Sequence, residues 1–154
     1  GKTNQKPKRG DIMNDTAEIC REISDSADMG KLALSRLIKR CRDASFCSVM
    51  ADMFANYHEL YNDAQEIIRE LGRHDSGASP RQKKPMLIGL ALNTAIDSTP
   101  SHLSEMLVQG CAMSLINIAR AENECVRADA KAMCLCKRAR RNEQENIQRL
   151  LKFV

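Results

Sequence analysis

The chain has 154 residues, with 24 Lys and Arg against 20 Asp and Glu, a net charge of +4, and no Trp. This length favours one domain, and no apolar run reaches the roughly 18 residues of a membrane span. Seven Cys, an odd number without a zinc-ribbon spacing, argue against a secreted disulfide scaffold. Val and Thr are too scarce for a sheet protein. The composition therefore predicts a mostly helical domain of a reducing compartment, which we expect to be cytoplasmic.

The N-terminal segment is basic and shows no periodic apolar pattern. Its cations are Lys2, Lys6, Lys8 and Arg9. We therefore predict a disordered basic tail over residues 1–13. Order is expected to begin at Asn14 or Asp15 as an N-cap, with Glu18 completing a capping box with Asp15.

Residues 14–72 predict two long helices. In each helix, apolar residues recur at alternating spacings of four and three, which places them on one face. The first face holds Ile23, Ala27, Gly30, Leu34, Leu37 and Cys41, and the second holds Phe46, Met50, Met53, Tyr57, Leu60, Ala64, Ile67 and Leu71. A polar turn at 42–45 and Gly72 as a C-cap make this segment an antiparallel helical hairpin.

Residues 73–99 predict a linker, and residues 100–154 predict a second hairpin. The linker begins with a basic loop rich in Gly, Ser and Pro that extends to Pro85, and a short buried helix follows. The second hairpin is expected to contain helices over about 102–121 and 126–153, and the proline at its start suits a first helical turn.

A shift of 80 residues superposes the second predicted hairpin on the first without a gap. The matched positions include Gly30 with Gly110, Met53 with Met133, Asp43 with Asn123, and Phe46 with Val126. Most of the identities fall on the apolar faces or at the turns. This pattern predicts an internal duplication of a helical hairpin.

Each half carries a glycine on its first helix, then a turn, then a second helix with a polar segment before Ile or Leu. The two stretches run from Met29-Gly30 through Tyr57-His58-Glu59-Leu60 to Ile67, and from Gln109-Gly110 through Arg141-Asn142-Glu143 to Ile147-Gln148. Over about residues 14–153, this pattern resembles the ferritin-like bundles of bacterial stress proteins of unknown function and of spore-coat-type proteins. The resemblance implies an all-α, ferritin-like four-helix bundle with a short connecting helix, formed by residues 14–154 as a single domain.

Catalytic ferritin-like proteins carry two Glu-x-x-His pairs and a Glu on each of the other two helices. The chain contains no Glu-x-x-His, and the matching positions are Glu59-Leu60-Tyr61-Asn62 and Ala139-Arg140-Arg141-Asn142. We therefore expect no metal site, no cofactor and no enzymatic activity. His58 and Glu59 are the weak candidates for any metal that does bind.

Most of the cysteines fall on the apolar faces, where Cys packs as a small hydrophobe. Cys134 and Cys136 point about 200° apart on a helix, so they cannot share a metal. Cys47 and Cys125 lie near the hairpin turns and are the candidate reactive thiols.

The apolar face of the last helix, continued through Met133 and Ile147, places Arg140 and Glu143 inward. Two unpaired charges in a core are costly, so we predict that these residues pair with each other at i, i+3. The alternatives are a polar pocket and a stretch of helix that faces solvent or another subunit.

Two charged edges are predicted on the second and last helices. The acidic edge consists of Asp52, Asn56, Glu59, Asp63, Glu66 and Glu70, and the basic edge consists of Arg127, Lys131, Arg138, Arg141, Arg149 and Lys152. We interpret them as solvated flanks that face each other across the bundle, where each exposed pair contributes at most about 1 kcal/mol.

The function expected from these features is that of a non-enzymatic scaffold. It would act through helix faces, by self-association or by contact with another protein, in a stress or sporulation setting that only the resemblance implies. The first alternative is a ferritin-like oxidoreductase or storage protein that binds iron or manganese. The second is binding of a nucleic-acid phosphate backbone by the basic edge and tail, which the lack of a recognised motif or stacking aromatics disfavours.

Overall fold

The computed structural model describes residues 6–154, and within that range it contains helices and no strands. The helices are α1 (Arg9–Leu37), α2 (Ala44–Glu70), α3 (Pro80–Ile96), α4 (Pro100–Glu124) and α5 (Ala130–Leu150), followed by a 3-10 turn at Leu151–Phe153. The all-helical prediction is confirmed. No helix within the described residues has the length and apolarity that a membrane span requires.

The predicted start of the ordered chain at residue 14 is wrong, because α1 already begins at Arg9. Residues 1–5 of the predicted tail lie outside the described residues. Asp15 is consequently inside the helix, 7% exposed, and does not act as an N-cap. Its carboxylate instead accepts hydrogen bonds from the backbone N–H of Arg127 at 3.0 Å and from Arg127 Nε at 3.3 Å. Asp15 therefore stabilises the turn between α4 and α5.

Side-chain caps explain where α2 and α5 begin. Asp43 accepts a hydrogen bond from the N–H of Phe46 at 2.8 Å, and Asp129 accepts one from the N–H of Ala132 at 2.9 Å. Such caps are worth about 1 kcal/mol each. The C-cap of α2 is Leu71, one residue before the predicted Gly72. Gly72 follows it with a φ of 71°, in the left-handed region that glycine tolerates after a helix end.

The predicted apolar faces of the first two helices lie in the core, together with residues of α4 and α5. Every residue of both faces is buried except Gly30 and Leu71. The last turn of the chain completes this core, because the Phe153 ring packs 4.9 Å from the Phe46 ring.

Ion pairs and hydrogen bonds define the directions of the four long helices. Lys131 at the start of α5 forms an ion pair with Glu70 at the end of α2. Arg149 near the end of α5 forms one with Asp52 near the start of α2. Helices α2 and α5 are therefore antiparallel. The contact between Asp15 and the α4–α5 turn makes α1 antiparallel to α4 and parallel to α5. The chain thus runs up, down, down and up through α1, α2, α4 and α5.

Helix α3 makes this order possible by returning the chain along α1. At its start, Lys83 pairs with Asp28 of α1 at 3.0 Å, and near its middle Leu90 lies beside Leu37 at the end of α1. The predicted loop up to Pro85 is too long, because Ser79 and Gln82 form a capping box that begins the helix at Pro80. The predicted burial of this helix is also wrong, since its apolar residues Ile88, Leu92 and Ile96 are 62%, 64% and 87% exposed.

The duplication predicted at a shift of 80 residues has the wrong register. Phe46 is fully buried, whereas its predicted equivalent Val126 is 74% exposed in the α4–α5 turn. Helix α2 begins at residue 44 and α5 at residue 130. The buried positions of the two helices therefore correspond at a shift of 86, which places Glu143 at the position equivalent to Tyr57.

Candidate functional site

A cleft of about 580 Å³ opens between α1 and α4, and we call it the α1–α4 cleft. Met53 and Tyr57 of α2 line it as well, and α3 contributes residues from Arg81 to Leu90. Its volume falls within the roughly 300–1,000 Å³ of small-molecule sites.

The walls of the cleft are rich in methionine. Five of the eight methionines of the chain line it, namely Met29, Met53, Met86, Met106 and Met113. The other large apolar lining residues are Leu34, Leu37, Leu90 and Leu107. Because the unbranched thioether side chain is flexible and polarisable, a wall of this kind adapts to apolar ligands of different shapes.

Two glycines on the facing helices have different effects on the cleft. A Cβ atom on Gly30 would lie 2.8 Å from Cε2 of Tyr57, so the absent side chain lets the tyrosine ring lie directly against α1. Around Gly110, no described atom outside its own stretch of helix lies within 4 Å of the Cβ position. Gly110 therefore leaves free volume in the cleft.

One end of the cleft is polar. Glu22, Asp25 and Ser26 reach it from α1, and Ser114 and Asn117 reach it from α4. Within the described residues, the buried atoms Oδ1 of Asp25 and Oγ of Ser114 have no hydrogen-bond partner. Native proteins seldom bury polar atoms without partners, so this end has unused capacity to bind a polar group.

The carboxyl group of Asp25 titrates unusually at this end. Its pKa is raised to about 6, first because burial disfavours the charge and then because Asp75, Glu22 and Asp28 repel it, while Arg21 lowers the pKa by a smaller amount. The polar end therefore combines partial desolvation with an excess of negative charge.

A second set of polar side chains lies beneath the floor of the cleft. We call it the buried polar cluster, and it consists of Tyr57, Cys111, Glu143 and Asn146. The Tyr57 hydroxyl lies 3.6 Å from Sγ of Cys111 and accepts a hydrogen bond from Nδ2 of Asn146 at 3.3 Å. Tyr57 and Cys111 also line the cleft, whereas Glu143 and Asn146 lie in the core, 1% and 2% exposed. The cluster thus connects α2, α4 and α5 beneath the cleft.

Burial dominates the titration of Glu143. Desolvation raises the pKa of its carboxyl to about 7, while the neighbouring Tyr57 and Cys111 groups lower it by hydrogen bonding. Oε2 of Glu143 has no partner among the described residues. The inward position predicted for Glu143 is confirmed.

The predicted pairing of Arg140 with Glu143 is wrong. Nη1 of Arg140 instead lies 2.6 Å from Oε2 of Glu122 on α4, and the Arg140 side chain is 40% exposed. Arg140 therefore occupies the border between α4 and α5, where a partner from another helix is available. Glu143, one turn further along, points to the cluster.

His58 and Glu59 lie on the exposed side of α2, away from the cleft. The ring of His58 lies 3.3 Å from Nζ of Lys31 and 3.2 Å from Nδ2 of Asn62. Among residues 6–154, no three His, Cys, Asp or Glu side chains are arranged to hold a metal ion.

Neither predicted reactive thiol lies in the cleft. Cys125 is 1% exposed, and burial, followed by repulsion from Glu18 and Asp15, raises the pKa of its thiol to about 11. Cys47 is half-buried and lies 3.5 Å from the carbonyl oxygen of Cys41. Cys111 does line the cleft. Other core cysteines also lie on apolar faces, so this position does not identify Cys111 in the sequence.

The two charged edges face each other as predicted. Three exposed ion pairs join α2 to α5, namely Asp52 with Arg149, Asp63 with Arg138, and Glu70 with Lys131. These cations already have partners on the protein, so a nucleic-acid phosphate would have to compete with the carboxylates for them.

The sequence singled out neither Asp25 nor Ser114, and it treated Tyr57 as an ordinary core residue. A signal was present in the hydroxyl of Tyr57 within an otherwise apolar face, since a buried hydroxyl normally has a polar partner. Comparisons with protein-family models, with curated proteins and with solved structures give no match for this chain.

Proposed function

We propose that this protein is a non-enzymatic binding protein, built on a ferritin-like four-helix bundle, that holds a small and mostly apolar molecule in the α1–α4 cleft. The observation that carries the proposal is the cleft itself, with about 580 Å³ of space lined by five methionines. Protein interiors are normally close-packed. An apolar opening of this size leaves its walls without contacts that a ligand would supply.

The helix directions support the ferritin-like part of the proposal. An up, down, down, up order with one long connection is the arrangement that distinguishes ferritin-like bundles from simple up-down bundles. The return of the chain by α3, from Pro80 to Ile96, provides that connection.

A metal-dependent oxidoreductase has less support. His58 and Glu59, the weak metal candidates, are exposed and do not line the cleft. Metal analysis of the purified protein tests this alternative, and about two equivalents of iron or manganese per chain would contradict the proposal. Self-association through helix faces stays a prediction, which sedimentation measurements test.

The binding proposal can be tested with dodecanol, an uncharged probe with one polar atom, by isothermal titration calorimetry and thermal unfolding below the solubility limit. We expect saturable binding at one site and a Tm that rises with probe concentration, because a ligand that binds only the folded state stabilises it. Gly110→Leu places a side chain in the open space of the cleft and should weaken binding at least tenfold.

Gly89→Leu is the matched control. Gly89 lies on α3 outside the cleft lining, and no described atom outside its own helical stretch lies within 4 Å of its Cβ position. This variant should bind dodecanol like the unchanged protein. Absence of saturable binding, or equal binding by Gly110→Leu, would refute the proposal.

A further inference from the structure

The two ends of the α1–α4 cleft differ in chemistry. Along α1 the lining changes from Glu22, Asp25 and Ser26 to Ala33, Leu34 and Leu37. Because α4 runs antiparallel to α1, its polar residues Ser114 and Asn117 lie beside Glu22, and Met106 and Leu107 lie at the apolar end. A ligand that fits both ends must be an amphiphile.

We infer that this ligand is an amphiphilic amine, with its apolar body between the methionines and its protonated nitrogen at the polar end beside Asp25 and Glu22. This inference rests on the proposed binding function and adds the chemical class of the ligand. It is carried by the charge of the polar end and by the polar atoms that lack partners there.

The charge balance at the polar end favours a cation. Glu22 and Asp25 line the polar end. Among the described residues that line the cleft, Arg81 is the one cation. The nearby Lys83 is already paired with Asp28 at 3.0 Å. An anionic head group would join carboxylates that already repel one another, whereas an ammonium would reduce that repulsion.

The hydrogen-bonding atoms at this end also match an ammonium. Oδ1 of Asp25 and Oγ of Ser114 are buried and lack partners within the part of the chain that the structure describes. The Glu22 carboxylate accepts one bond, from Ser26 Oγ at 3.3 Å, and has capacity for more. An ammonium brings three N–H donors and no acceptor, so acceptors of this kind suit it.

Non-specific attraction does not favour such a ligand. The chain carries a net charge of +4, which repels cations at long range. Preferential binding of an amine would therefore report on the local carboxylates.

The test compares dodecylamine, dodecanol and dodecanoic acid by isothermal titration calorimetry at pH 7.4, with each probe kept below its solubility limit or micelle concentration. The three probes share one chain and differ in the charge of the head group. We expect the amine to bind at least tenfold more tightly than the alcohol, and the acid to bind most weakly. Asp25→Asn should bring the affinity for the amine to within about threefold of the affinity for the alcohol.

Asp52→Asn is the matched control, since it removes one negative charge from the exposed edge of α2 outside the cleft and should preserve the amine preference. Glu22→Gln provides a second variant in case Asp25→Asn does not fold, which circular dichroism checks. It should reduce the amine preference by at least threefold.

The outcomes separate this inference from the proposed function. If the alcohol binds but the acid binds as tightly as the amine, the amine assignment is wrong and the binding proposal stands. If the amine preference survives in both cleft variants, the position assigned to the nitrogen is wrong. If none of the three probes binds, the proposed function fails and this inference fails with it.

Discussion

Replacing Glu143 by Gln should stabilise the protein at pH 8 and have little effect at pH 5. The carboxyl is 1% exposed, and burial raises its pKa from the usual 4.5 to about 7. Between those pH values the folded state holds a proton that the unfolded chain has lost. Stability therefore falls as pH rises through this window, and the loss is complete above about pH 7.

The expected magnitude follows from the two pKa values. The interval from 4.5 to about 7 corresponds, at 1.36 kcal/mol per pH unit, to about 3 kcal/mol of stability lost at pH 8. The amide of Gln stays neutral and avoids this loss. At pH 5 most of the Glu143 carboxyl is protonated in the folded state, so the two proteins should differ by less than about 1 kcal/mol.

The assay is urea denaturation at pH 5, 6, 7 and 8, which gives the free energy of unfolding of both proteins at each pH. Asp25, whose pKa is also raised, titrates in both proteins, so its contribution cancels in the difference. Glu145→Gln is the control, because Glu145 is exposed two residues away on the same helix. The assignment of Glu143 as a buried titrating group would be refuted if the two proteins differed in free energy of unfolding by the same amount at every pH. It would also be refuted if Glu143→Gln were the less stable protein at pH 8.

Gly30→Ala should destabilise the fold by about 1–3 kcal/mol, since the added Cβ would lie 2.8 Å from the packed ring of Tyr57. Gly110→Ala, in open space, should stabilise it by up to about 1 kcal/mol through helix propensity, and equal urea midpoints for the two variants would contradict the close contact at Gly30. In alkylation followed by peptide mass spectrometry, exposed Cys134 should react readily, whereas buried Cys125 should react only after unfolding, because burial raises its pKa to about 11. Equal labelling rates would show that the α4–α5 turn opens in the folded state.

Periodicity was sufficient to predict α1, α2 and their buried faces, because each face depends on residues three or four positions apart. The same local signals failed where a distant residue supplies the partner. Asp is a residue type typical of N-caps, yet the carboxylate of Asp15 binds Arg127, which lies 112 residues further along the chain.

The candidate site could be predicted in part. The spacing on α5 places Glu143 inward, but it contains no information about Tyr57 and Cys111, which approach from α2 and α4. The polar end of the cleft depends on the antiparallel alignment of Asp25 with Ser114, and that alignment results from the path of α3. Side chains that meet only through such a long connection are not visible in a single sequence.

The same path affects how the protein assembles during synthesis. Helices α1 and α2 can pair as soon as they are made, since they are consecutive in the chain and a short turn joins them. The rest of the apolar surface of α1 packs against α4 and α5, which are synthesised later. The first hairpin therefore leaves the ribosome with part of its apolar face exposed to solvent. Contacts between residues as far apart as Asp15 and Arg127 also raise the contact order, which slows folding. We therefore expect chains that end before α5 to be the aggregation-prone species of this protein.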